Sequence, residues 1–129
     1  MQDRPTPAEV IGSVAVFLKT TVAAQTTGAT SFQARVAANA LEMMKRELEL
    51  APGEDAAEHE RLKALLGTDG TLFDLNLELS RRIGAGEIDS AAPALIEHLW
   101  ATTMAKLAVD QPTYASYRAE LAKRAPKED

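Results

Sequence analysis

Cysteine is absent from the 129-residue chain, which excludes disulfides, thiolate nucleophiles and cysteine-ligated zinc. Aromatic residues are scarce too, at 5% with a single tryptophan. The Ala- and Leu-rich remainder favours helices over strands. No apolar run approaches the roughly 18 residues needed to cross a bilayer. Met1-Gln2-Asp3-Arg4-Pro5 lacks a basic stretch followed by an apolar one, so neither secretion nor membrane insertion is expected and the cytoplasm is the expected compartment. Basic residues are outnumbered, 14 against 19 acidic, for a net charge of -5. That balance argues against nucleic acid as a partner, because phosphate neutralisation needs a concentrated basic surface.

What is present reads as helices. Thr6-Pro7-Ala8-Glu9 is a capping box with proline at the first helical position. Val10, Ile11, Val14, Phe17, Leu18, Thr21 and Val22 follow on one face until Thr26, Thr27 and Gly28 stop the helix. A second helix is predicted from Thr30 or Ser31 to about Leu50, broken by Pro52-Gly53. Glu54 to Glu60 reads as acidic surface leading into a short third helix through Leu62, Leu65 and Leu66, ended by Gly67. Thr71-Leu72-Phe73-Asp74 opens a fourth, closed by Gly84-Ala85-Gly86. Asp89 or Ser90 caps a fifth that runs to about Val109, and a sixth covers Thr113 to Arg124. These patterns predict one all-α domain over residues 1–129, a compact bundle of five to six helices with mostly antiparallel neighbours and a mobile tail from about residue 125.

Chemistry-bearing motifs are missing. His59 lies between two glutamates and His98 at the edge of the fifth helix's stripe. Neither forms the His-x-x-x-His or Glu-x-x-His spacing that sets two ligands on one helical face, so no metal is expected. No strand-turn-helix elbow presents a serine, and Gly84-Ala85-Gly86 leads to Glu87 rather than to a lysine-threonine pair. No cofactor and no catalytic residue are expected.

Two groups of polar residues nevertheless sit beside apolar arcs. With successive residues about 100° apart and Leu95 at zero, Leu99 falls at about 40°, Lys106 at about 20° and Asp110 at about 60°. Ile96, Trp100, Thr103, Met104 and Leu107 fill out the same arc. In one reading Lys106 snorkels to the helix's last carbonyls and Asp110 caps the sixth helix ahead of Pro112. In the other, Lys106 and Asp110 join Asn76 and the helix-two residues Arg35 and Asn39 in a pocket for a small anion. Arg35, Asn39, Glu42 and Arg46 recur at spacings of four, three and four, which is also the pattern of a solvated ladder with Glu42 and Arg46 paired.

Arg35-Val36-Ala37-Ala38-Asn39-Ala40-Leu41, Arg46-Glu47-Leu48, Lys106-Leu107-Ala108-Val109-Asp110 and the opening Arg4-Pro5-Thr6-Pro7-Ala8-Glu9 together resemble a family of small bacterial helical proteins of unknown function. The resemblance spans nearly the whole chain. Gln111 and Thr113 depart from the Asn and Arg that the family places after this aspartate. Its members are often encoded beside aminoglycoside-phosphotransferase-like kinases and acyl-CoA dehydrogenases. The resemblance therefore implies a non-catalytic accessory module with a kinase-like or acyl-CoA dehydrogenase-like partner. The alternative is a small anion-binding bundle or enzyme using Arg35, Asn39, Asn76, Lys106 and Asp110. Self-association into a homodimer is open as well, through an apolar patch around Val16 and the tyrosines.

Overall fold

The computed structural model describes residues 3–124, and the tail expected to be mobile lies outside them. Every regular element among the described residues is a helix, so the fold is all-α. There are five: α1 over Pro7–Gln25, α2 over Gly28–Leu66, α3 over Leu72–Gly84, α4 over Pro93–Asp110 and α5 over Ala115–Arg124. They divide between two compact units, Met1–Ala51 and Pro52–Asp129.

The first unit is an antiparallel hairpin of α1 and the first part of α2. Its entry is the predicted capping box: the Glu9 N–H donates to Thr6 Oγ1 at 3.2 Å, and the Thr6 N–H donates to the Glu9 carboxylate at 2.7 Å. Between Leu18 and Val22 the helix widens into a π turn and then recovers its α geometry. Across the hairpin, Ser31 Oγ donates to the Ala23 carbonyl at 2.8 Å, and Lys19 meets Glu42 at 3.0 Å. Glu42 thus reaches the facing helix. The buried residues are all small: Ala15, Ala23, Ser31, Ala34 and Ala38. Where α1 passes Lys45, a Cβ added to Gly12 would come within 3.3 Å of the lysine stem. Small side chains let the two helices close together and leave large ones outside, with Val16, Phe17, Phe32 and Val36 all more than half exposed. Contrary to the expectation that no apolar stretch is long enough, Pro7–Gln25 passes for a membrane-crossing helix by length and composition alone, with a mean hydropathy of 1.3 over 18 residues.

The second unit is built on leucine. Leu62 and Leu66 from α2, Leu75 and Leu79 from α3, and Leu95 from α4 form its core, with Leu65, Leu72, Ile83 and Ile88 around them. Gly67, at φ +66°, ends α2 in the left-handed conformation that glycine adopts without strain. The Arg82 guanidinium donates to the orphan Leu66 carbonyl at 3.0 Å. Thr71 caps α3 by accepting from the Asp74 N–H. Two arginines hold the Glu78 carboxylate, Arg81 at 2.8 Å and Arg82 at 2.6 Å, and their hydrogen bonds pull its pKa down to about 2.

Two predicted boundaries move. The helix does not stop at Pro52-Gly53. It runs through both, so the predicted second and third helices are one element of 39 residues. Proline removes a single N–H and leaves the carbonyl four residues earlier without its donor. Here that residue is Leu48, and it and residues 52–57 are exposed, so water can satisfy the group. The sixth predicted helix begins at Ala115 instead of Thr113. Its first turn closes on the Tyr114 carbonyl, which accepts from the Arg118 N–H, and this leaves Asp110 as the last residue of α4.

Because Pro52 interrupts an exposed stretch of continuous helix, Pro52→Ala should stabilise the protein by up to about 3 kcal/mol, read by chemical denaturation. A lowered stability would show that the proline matches a distortion on which the two halves of α2 depend.

Candidate functional site

Helix α4 turns a different face inward from the one its large apolar residues suggest. Leu95, His98 and Val109 are its buried residues, and Thr102 and Ala105 are half-buried. These cluster near 320° on the wheel that places Leu95 at zero. The arc from about 20° to about 140° is the exposed one, carrying Leu99, Ile96, Trp100, Thr103, Lys106 and Asp110. The stripe containing Lys106 and Asp110 therefore faces solvent. Neither residue is a charge in a core, and Asp110 does not cap the following helix.

Arg35 and Asn39 are exposed in the first unit. Asn76 is half-buried in the second, donating to Glu58 Oε1 at 2.8 Å and to the Leu72 carbonyl at 3.1 Å. Among the described residues, no hydrogen bond or ion pair joins Arg35 to Asn39 within the first unit, or any two of Asn76, Lys106 and Asp110 within the second.

A polar cluster that the sequence did not reveal lies on the inward side of α4. Arg61, one turn after Glu58 on α2, has a buried guanidinium edge: neither Nε nor Nη2 has a hydrogen-bond partner. His98 is 3% exposed, and its Nδ1 is likewise buried without a partner, as is Thr102 Oγ1. Arg61 and His98 share a recess of about 260 Å³ with Ala64, Leu65, Ala94 and Glu97. Arg61 and Glu97 also border a wider, open cleft of about 780 Å³, whose other walls are Pro93, Ile96, Trp100, Ala101 and Arg124. The Arg124 guanidinium carbon stands 6.0 Å above the Trp100 ring.

Two features give this arrangement its chemistry. First, Nε–H and one Nη–H of a guanidinium point the same way, as a fork that matches two oxygens of one carboxylate. Leaving such donors buried and unpaired costs about 1–3 kcal/mol, and more for charged groups. Second, α4 begins at the recess with Ala92 as N-cap, and no side chain caps its first turn. The positive end of the helix dipole therefore adds to the guanidinium charge.

Burial pushes the His98 imidazole below its usual value of 6.5; the Glu58 charge opposes that shift and the Arg61 charge reinforces it. The ring is neutral at neutral pH and can hydrogen-bond without adding charge. Only the neighbourhood in the fold could identify the cluster. Arg61 follows an acidic run that looks like surface, and His98 has no partner at ligand spacing.

Residues 24–114 match a domain of unknown function (DUF6285), a range that includes Arg61, His98 and Trp100 but not Arg124. No curated protein and no solved structure matches the chain.

Two outcomes are expected. Lys106→Met and Asp110→Ala should each change stability by no more than about 0.5 kcal/mol, as surface substitutions do; a larger loss in urea denaturation would return them to a buried network. His98 binds its proton more readily in the unfolded chain, so its contribution is complete above 6.5 and is lost as the pH falls through the depressed folded value. His98→Asn should flatten the wild type's decline in unfolding free energy between about pH 7.5 and 5.5. Parallel declines in the two proteins would contradict a neutral, buried imidazole.

Proposed function

We propose that this chain, which belongs to the DUF6285 family, is a small-molecule binding protein whose second unit holds a monocarboxylate. Arg61 supplies the fork, His98 and the uncapped start of α4 complete the recess, and the wider cleft takes the ligand's body. The observation that carries this reading is the buried Arg61 edge, whose Nε and Nη2 have no partner among the described residues and are closed to solvent, so that a carboxylate reaches them as the recess opens.

Charge favours a singly charged ligand over a phosphate ester. Arg61 and Arg124 line the cleft together with Glu97, a balance near +1. Arg124 is already engaged by Glu120 at 3.0 Å. The recess offers unpaired hydrogen-bond donors and positive charge, the chemistry of anion binding. A second reading, an accessory module on a kinase-like or acyl-CoA dehydrogenase-like enzyme, draws on the resemblance and on the exposed Ile96, Leu99 and Trp100 of α4. Failure to co-purify with either enzyme would remove its support.

The test of the carboxylate reading is titration with cyclohexanecarboxylate, followed by amide chemical shifts. Shifts should centre on Arg61, Ala94 and His98, and Arg61→Gln should weaken binding at least tenfold. No saturable shift, or undiminished binding by Arg61→Gln, would overturn the reading.

A further inference from the structure

The cleft next to the Arg61 recess has a wall built for more than an acid group. Trp100 is 43% exposed and Ile96 52% exposed, and both line the cleft beside Pro93. An indole left open at the wall of a concavity offers a flat π face on which another ring can stack. The Arg124 guanidinium lies over that face at 6.0 Å.

This spacing is informative. Two flat groups in direct contact stand about 3.5 Å apart, so a guanidinium, an intervening ring and an indole together span about 7 Å. The 6.0 Å runs from the guanidinium carbon to the ring centroid, the outer range of a direct cation–π contact, so a ring enters between the two only as Arg124 moves aside. Arg124 has room to yield, since its side chain is 57% exposed and its recorded partner is Glu120, one turn earlier on its own helix.

We infer that the ligand of this cleft is an aromatic carboxylate, with its ring between Trp100 and Arg124 and its acid group on Arg61. The inference rests on the carboxylate reading of Arg61 and adds the class of the ligand's body. Arg61 borders both the recess and the cleft, so a single ligand can occupy both. A flat ring gains from both faces at once, from the indole below and from the cation above.

Benzoate and cyclohexanecarboxylate carry the same acid group on a flat and a puckered six-membered ring, and isothermal titration compares them on the intact chain. Benzoate should bind at least fivefold more tightly. Trp100→Leu should abolish that preference while leaving cyclohexanecarboxylate binding within about twofold, and Arg124→Gln should reduce it. Trp100→Phe, a smaller change in the same wall, should retain part of it and keeps the test alive if the leucine variant does not fold. Equal affinity for the two acids, with Arg61→Gln abolishing both, overturns the flat-ring inference and leaves the carboxylate reading standing. Binding of neither acid overturns both, as does tighter binding of inorganic phosphate than of benzoate.

Discussion

A helix can bury only one face, and here the buried faces of α1 and the first part of α2 are made of small side chains. Ala15, Ala23, Ala34 and Ala38 occupy the hairpin contact. Small side chains bring helix axes close and convert the contact into backbone proximity. The large apolar residues are displaced outward as a result. The second unit differs because its centre is leucine: five buried leucines from α2, α3 and α4 interlock there. That core fixes the positions from which Arg61 and His98 project.

The polar cluster follows from this geometry. Arg61 immediately precedes fully buried Leu62, and His98 follows buried Leu95 by one turn, so the core that seats the two leucines also draws the flanking polar residues under cover. Glu58 lies one turn before Arg61, but its Oε1 is taken by Asn76 and no ion pair to Arg61 forms. A carboxylate that would ordinarily neutralise the guanidinium is thus committed elsewhere, while its charge still acts on His98.

The elements whose signals are local were legible in the sequence. Thr6 and Thr71 announce their helices because a hydroxyl three residues before an amide is a short-range fact. Gly67 ends α2 for an equally local reason. Pro52 misled because a proline's effect depends on whether the carbonyl it orphans can reach water, and sequence does not show exposure. The orientation of α4 misled for a different reason. A helical wheel ranks faces by hydrophobicity, and Ile96, Leu99 and Trp100 outweigh His98, Thr102 and Ala105 on any such scale. Leu95 decides the orientation instead, since it locks into the leucine core and draws its own side of the helix inward. Lys106 and Asp110 stood out because they sat on the wrong stripe, and Arg61 was overlooked because it followed an acidic one.

The energetics connect the site to the fold that holds it. The described part of the second unit, residues 52–124, comprises about 70 residues, and at roughly 0.05–0.15 kcal/mol per residue its stability amounts to about 4–11 kcal/mol. An unpaired, buried guanidinium edge costs about 1–3 kcal/mol or more, a sizeable fraction of that margin. A methionine at position 61 would keep much of the stem's packing and remove the cost. A ligand that binds only the folded chain returns about 2.7 kcal/mol at a hundred times its dissociation constant, which is the same order as the penalty. On the proposed reading, occupancy of the Arg61 recess and stability of the leucine core would be linked, since a bound carboxylate would pair the donors whose burial is costly.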